Sequence, residues 1–406
     1  MPQVTAELEK GTRNIQKRLG NVDDFVQEIF FLGDGIQRTA VDGFFDLLRP
    51  STWRPTGLVQ MSSNAVSGSL QVARFFTPGQ TSYLSWLELR NKLEVFLFVQ
   101  NLPAILGLSG DKPEPLPALV DKAYSLSPFA ALWGVEGLGH YYADACWEHN
   151  GPLGGLLSET QAPVPEKSLL MLHAGMGMSF AYRLLSDLII QSPAAQVLET
   201  VKQFVRLCRD NSRDGFMGAA IESLGLVTRD FYPDMVRRIS QALKETAPEL
   251  IGFFWHGAGR ALYFSRAYFL PILRTPWSAI ETQGDTEDER LNLMAGLSWA
   301  FTLVNMCYPK IVENALLTYV QESNLKKGFV NGVSSTIVMR NDTTPGAPFT
   351  TTFCGYHPGG SGTKASALWN SLITTPCREA FRSYQELKRN RLLDQVFRFR
   401  ACAEHT

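Results

Sequence analysis

The chain has no surplus of either charge: 38 Lys and Arg face 39 Asp and Glu, a formal net charge of −1 over 406 residues. No overall field favours a nucleic-acid partner, and no basic run interleaved with stacking aromatics supplies a local one. There is also no uninterrupted apolar run of about 18 residues, the length that a membrane-spanning helix needs. The most hydrophobic stretch, Ile251 to Leu273, is broken by His256, Arg260 and Arg266. Six cysteines, at 146, 208, 307, 354, 377 and 402, include no Cys-x-x-Cys pair, which fits reduced thiols better than a disulfide framework or a zinc site. Met1 to Asp24 lacks the apolar core and small residues of a secretory signal. A cytoplasmic protein with no membrane span is expected.

Several catalytic signatures are missing as well. There is no His-Glu-x-x-His, so no metal site is expected, and no Gly-x-Ser-x-Gly elbow. Gly359-Gly360-Ser361-Gly362-Thr363-Lys364 departs from the spacing of a phosphate loop, and Gly33-Asp34-Gly35 has no βαβ unit around it to bind a dinucleotide. The cofactor is left unknown.

What the chain does have is ample apolar material, 45% against 19% charged residues, and a recurring glycine. Gly137, Gly175, Gly218, Gly257, Gly296 and Gly332 each lie in an apolar stretch with a second small residue two positions on, at spacings of 38, 43, 39, 39 and 36 residues. Glycine costs a helix about 1 kcal/mol relative to alanine. Repeating that cost implies that the missing side chain admits another backbone. A period near 39 residues matches one helical hairpin. The expected fold is therefore all-α: hairpin repeats forming a solenoid or a closed α/α ring, with apolar glycine helices inside and amphipathic partners such as Pro193 to Asp210 outside. Weaker echoes at Gly33 and Gly68 start the repeat near residue 31. The expected organisation is a helical segment over 1–30, the repeat domain over 31–340, and a loop-rich segment with a basic final helix over 341–406.

The polar residues beside the glycines are the candidates for chemistry. Glu136 and His140 share a helix face four residues apart, as a proton-transfer pair requires. Glu136, His256 and Asn331 each directly precede an anchor glycine and are expected to line one wall. His173, Asp214, Glu222, Trp255 and Arg260 lie nearby as candidate ligand-binding residues. Buried polar groups of this kind also serve to fix register between helices. Trp133, Tyr141, Tyr142, Trp147, Phe180, Phe253, Phe254, Tyr263, Phe264 and Trp299 make any inner surface suited to an apolar ligand.

The ordered elements Trp133-Gly134-Val135-Glu136-Gly137, Leu172-His173-Ala174-Gly175-Met176-Gly177, Asp214-Gly215-Phe216, His256-Gly257-Ala258-Gly259-Arg260-Ala261-Leu262, Met294-Ala295-Gly296 and Asn331-Gly332 carry a resemblance. Over residues 120–345 the chain resembles the helical family catalogued as domain of unknown function 1702, encoded in enediyne polyketide gene clusters. The family tends to have a His-Glu pair after the Asp-Gly element, absent here, and Gln where this chain has His256 and Asn331. The resemblance implies bacterial specialised-metabolite biosynthesis. Joined to the residues, it gives an expected function: binding an apolar, polyene-type small molecule and isomerising or cyclising it by acid–base chemistry, with Glu136, His140 and His256 catalytic. The alternatives are a non-catalytic scaffold for a biosynthetic partner protein, and a metal- or haem-binding protein.

Overall fold

The computed structural model describes residues 80–108, 114–150, 154–158, 163–265, 268, 275–359 and 363–399. The helical segment expected over 1–30 and the glycine echoes at Gly33 and Gly68 lie outside them. The described residues are all-helical, with no strand among them. Fifteen α-helices follow in order: α1 (Gln80–Leu106), α2 (Leu116–Ser125), α3 (Pro128–Asn150), α4 (Leu169–Leu185), α5 (Ala194–Asn211), α6 (Met217–Phe231), α7 (Val236–Thr246), α8 (Ile251–Phe264), α9 (Pro276–Gln283), α10 (Glu287–Asn305), α11 (Pro309–Ala315), α12 (Lys326–Thr343), α13 (Pro348–Cys354), α14 (Lys364–Trp369) and α15 (Thr375–Arg389). None of the described helices is long and apolar enough to cross a membrane.

The glycine-bearing helices form one row, α3–α4–α6–α8–α10–α12, in which each packs along the next. Side chains paired across α3 and α4 ascend together (Asp144 with Ser179, Glu148 with Arg183), so these two helices run parallel. The connecting helices α5 and α7 join α4 to α6 and α6 to α8. Both are amphipathic: α5 buries Val197, Val201, Phe204, Val205 and Cys208 and turns charged residues outward. Helix α10 starts at a capping box, Thr286 with Glu289, and Glu289 also receives Lys244 from α7 at 2.5 Å.

The glycines work as their spacing implies, and the structure explains the second small residue. Positions i and i+2 lie about 200° apart around a helix. A helix inside a row has neighbours on opposite sides and needs a small residue toward each. A Cβ on Gly175 would stand 1.9 Å from Glu136 O of the preceding helix, and one on Gly177 2.2 Å from Ala220 O of the following one. Gly257 likewise meets Glu222 O at 1.9 Å, and Gly259 meets Leu293 O at 2.1 Å. Gly218 behaves differently. It lies in the first turn of α6 against the Phe253 ring and the Asp394 carboxylate, and the residue facing the preceding helix is Ser223, whose hydroxyl donates to Ala174 O at 2.7 Å. The spacings around α6 become 48 and 34 residues, because α5 has 18 residues and α7 only 11.

The last helix of the row reaches back to the first. Arg340 of α12, fully buried, donates to Pro128 O and Phe129 O at the start of α3, with its guanidinium 4.9 Å from the centroids of the Phe129 and Phe349 rings. After α12 the chain is more helical than the Thr-, Pro- and Gly-rich sequence of 341–363 implies. Pro348 and the Thr363 cap start new helices there, and α15 packs on α12. Helix α15 stops at Arg389, and residues 393–399 turn back over the N-terminal ends of α6, α8 and α10.

Candidate functional site

Three helices of the row bring four ionisable side chains together in the interior. Arg260, on α8, donates to Glu136 of α3 at 2.5 Å and to Glu222 of α6 at 3.3 Å. One turn earlier on α8, His256 Nδ1 lies 3.2 Å from Glu222 Oε1. All four residues are buried, Glu136 the most exposed at 4%. Glu136, Glu222 and His256 occupy the same helical register: their carbonyls receive Gly175, Gly257 and Gly296 of the next helices. The close approach that glycine permits is what brings these side chains within reach of one another.

Charge balance dictates the chemistry of this cluster. Two carboxylates and one guanidinium leave one negative charge over, which burial penalises. Burial raises the Glu136 carboxyl above the usual glutamate range, although Arg260 opposes the shift. Burial lowers His256, although Glu222 opposes it. Burial also works against the Arg260 charge, but the two carboxylates outweigh it and hold its pKa above the ordinary value. Burial thus favours the neutral form of Glu136 and the neutral imidazole of His256. Its Nδ1–H donates to Glu222, which leaves Nε2 as a bare lone pair.

That lone pair has no partner, and neither do its neighbours. His256 Nε2, Arg260 Nε and Trp299 Nε1 are all buried without a hydrogen-bond partner. These side chains touch: the His256 and Trp299 rings are edge to face at 6.1 Å, and the Arg260 guanidinium stands 4.9 Å from the Trp299 centroid. Phe397, fully buried, packs on both rings, 5.9 Å from His256 and 5.6 Å from Trp299. Phe397 arrives on the C-terminal segment, pinned on one side by Asp394, which accepts from Gly218 N–H at 2.8 Å, and on the other by Phe399 N–H to Asn292 Oδ1 at 2.8 Å.

The other sequence candidates are placed elsewhere. His140 does not hydrogen-bond Glu136. It pairs with Asp144 at 3.2 Å and stacks on Tyr182, nearly a third exposed. His173 is spent structurally: Nδ1–H donates to Leu169 O at 2.7 Å and Nε2 accepts from Arg213 N–H at 3.0 Å. Burial lowers its pKa to about 4, so it stays neutral. Asp214 is exposed and pairs with Arg391. Trp255 packs its ring against Phe254, with Nε1 buried and unpartnered. Asn331 shares the register of Glu136 and has a buried, unpartnered Oδ1, but makes no hydrogen bond to the cluster. Phe397 and Asp394 escaped sequence reading because their partners lie 98 to 176 residues away. No group of three His, Cys, Asp or Glu side chains arranged to hold a metal occurs among the described residues. A scan against protein-family models and searches of curated proteins and of solved structures found no match to this chain.

Proposed function

We propose that the Glu136–Glu222–His256–Arg260 cluster is an acid–base centre that isomerises or cyclises an apolar, polyene-type small molecule in bacterial specialised metabolism. In this reading the row of glycine helices is a helical-hairpin repeat, with the C-terminal segment as its cover. The observation that carries it is the set of unspent polar atoms on touching side chains: an acceptor at His256 Nε2 and N–H donors at Arg260 and Trp299, walled by aromatic rings. Native interiors satisfy nearly all such groups, so three together favour a ligand with a polar end. His256 Nε2 takes a proton from one position of the ligand and Glu136 delivers one to another, which leaves the formula unchanged, as isomerisation requires. Glu222 fixes the imidazole tautomer and Arg260 holds the carboxylates.

The test is infrared titration of the C=O stretch of a protonated carboxyl. The full-length protein should keep that band well above the pH at which ordinary glutamate ionises, and Glu136→Gln, retaining its fold, should lose it. A wild-type spectrum without the band removes the acid from the mechanism. Mass spectrometry of the organic extract of the purified protein then identifies the ligand.

A second reading, a scaffold for a partner protein, draws on one specific surface. Ile189 (63% exposed) and Ile190, in the connection between α4 and α5, and Phe231, the last residue of α6, lie exposed. Replacing all three with Ser should abolish a partner interaction and leave the carboxyl band in place.

A further inference from the structure

The helices after α12 bring together two free cysteines that no local motif connects. Cys354 is the last residue of α13, and Cys377 lies in the first turn of α15. Helix α14, a π-helical turn over Asn370–Thr374 and α15 follow one another without a break. Along them Trp369, Ile373 and Cys377, four residues apart, form one buried stripe. The C-terminal end of α13 lies against that stripe. Phe353 packs on Trp369 at 5.6 Å, and Tyr356, just past the helix, packs on it at 4.9 Å. Tyr356 is fixed in turn by its hydroxyl, which donates to Glu313 at 2.6 Å. Between these two anchors in the sequence, Cys354 meets Cys377, and the two thiols hydrogen-bond to each other.

The two members of the pair are unequal. Cys377 is fully buried, whereas Cys354 is partly exposed. The hydrogen bond from Cys377 holds the Cys354 thiol below its ordinary value, against the opposing effect of burial. The same bond, together with burial, pushes Cys377 well above that value. The S–H therefore stays on Cys377, and the thiolate forms on Cys354. Burial raises the thiols of Cys146, Cys208 and Cys307 as well. Cys307 is the exposed member of the described set, so exposure and thiolate character point to different cysteines. Reaction with an oxidant needs the thiolate.

We propose that Cys354 and Cys377 are a peroxide-reactive dithiol, in which Cys354 attacks and Cys377 resolves. The Cys354 thiolate attacks one oxygen of a hydroperoxide, ROOH. The O–O bond breaks, the leaving alkoxide takes up a proton as ROH, and Cys354 becomes a sulfenic acid. The Cys377 sulfur then attacks the sulfenic sulfur and gives up its proton, and the S–OH oxygen departs as water. In sum, two thiols are oxidised to one disulfide while ROOH is reduced to ROH and water. From hydrogen-bonding contact the two sulfurs have a short way to close to the ~2.05 Å of a disulfide. The bond ties α13 to α15, the helix that packs on α12 and leads into the segment bearing Asp394 and Phe397. The pair is separate from the acid–base cluster and does not rest on that reading.

Peptide mapping of the full chain tests the pair. The reduced protein is treated with a small excess of hydrogen peroxide, alkylated in denaturant and digested without reduction. A peptide pair joined through Cys354 and Cys377 is expected, lighter by two hydrogens than the reduced peptides and separated again by dithiothreitol. Cys354 should lose its free thiol about tenfold faster than Cys307, although Cys307 is the more exposed. In Cys377→Ser the reaction should stop at the Cys354 sulfenic acid, which dimedone traps. If Cys377→Ser does not fold, the linked peptide and the order of oxidation in the wild type decide. Oxidation of Cys307 ahead of Cys354 overturns the proposal. So does a Cys354 that proceeds to sulfinic acid while Cys377 remains open to alkylation, or a disulfide from Cys354 to any other cysteine.

Discussion

His173 and His256 are both fully buried, both lie within two residues of an anchor glycine, and both are held neutral by burial. Their surroundings nevertheless differ in kind. Around His173 every polar valence is used: one backbone carbonyl and one backbone N–H take both ring nitrogens, and Phe216 stacks on the ring at 5.3 Å. Around His256 one nitrogen is used by a carboxylate, the other is idle, and idle N–H groups of Arg260 and Trp299 lie beside it. Burial marks both regions equally; unspent hydrogen-bonding capacity separates a fixed joint from a place where something can bind.

The sharpest way to break the comparison is through Glu222, which serves the region of His256 and has no counterpart near His173. Glu222→Ala takes one of two carboxylates from a buried guanidinium and the partner from a buried imidazole. Breaking a buried ion pair from one side costs about 3–5 kcal/mol. Denaturant unfolding should show a loss of that order. A loss below about 1 kcal/mol would mean that water reaches Arg260, and the cluster would not be the buried centre described above.

Acid sharpens the comparison from the other side. The folded pKa of His173, about 4, lies below its ordinary 6.5, so the unfolded chain binds this proton first. Stability contributed by neutral His173 is complete above pH 6.5 and is lost as pH falls toward 4. Those two values correspond to about 3 kcal/mol. In His173→Leu that part of the acid slope should vanish, although the variant starts less stable because Leu169 O and Arg213 N–H lose their partner. A slope between pH 6.5 and 4 that matches wild type would show the ring to be protonated in the folded state.

The architecture was the most legible part of the sequence, because close packing leaves a local trace. A glycine needed for backbone contact cannot be replaced without consequence, and its recurrence every 34 to 48 residues survives even where Ser223 does the work on α6. The site was half legible. Glu136 and His256 were visible as polar residues directly before an anchor glycine, since register is a property of spacing, and Glu222 and Arg260 as candidates near them. The partner of Glu136 was not: Arg260 meets it across 124 residues, and nothing local to Glu136 favours Arg260 over His140. Spacing on one helix gives what can share a face, whereas the tertiary fold decides which charges meet. For His140 the nearer carboxylate, Asp144, took the ring. The turn of the chain after Arg391 was illegible for a related reason. A left-handed arginine has no composition signal, and the Thr- and Gly-rich stretch before α14 drew attention away from the segment that enters the interior.

The smallest effect is expected at His256 itself, and there the two histidines should part most clearly. His256→Phe keeps an aromatic ring between Trp299 and Phe397, and Glu222 retains Arg260 as a donor, so only one hydrogen bond is lost. The expected cost is about 1 kcal/mol. His173→Phe keeps its stacking on Phe216 too, but strands a buried carbonyl and a buried N–H, at about 1–3 kcal/mol each. Thermal melts of the two variants side by side should therefore rank His173→Phe well below His256→Phe. With its fold retained, His256→Phe should lose all acid–base turnover once a substrate is in hand, because the base at Nε2 is gone. Equal losses of stability would place His256 among the structural joints and leave Glu136 to carry the chemistry alone.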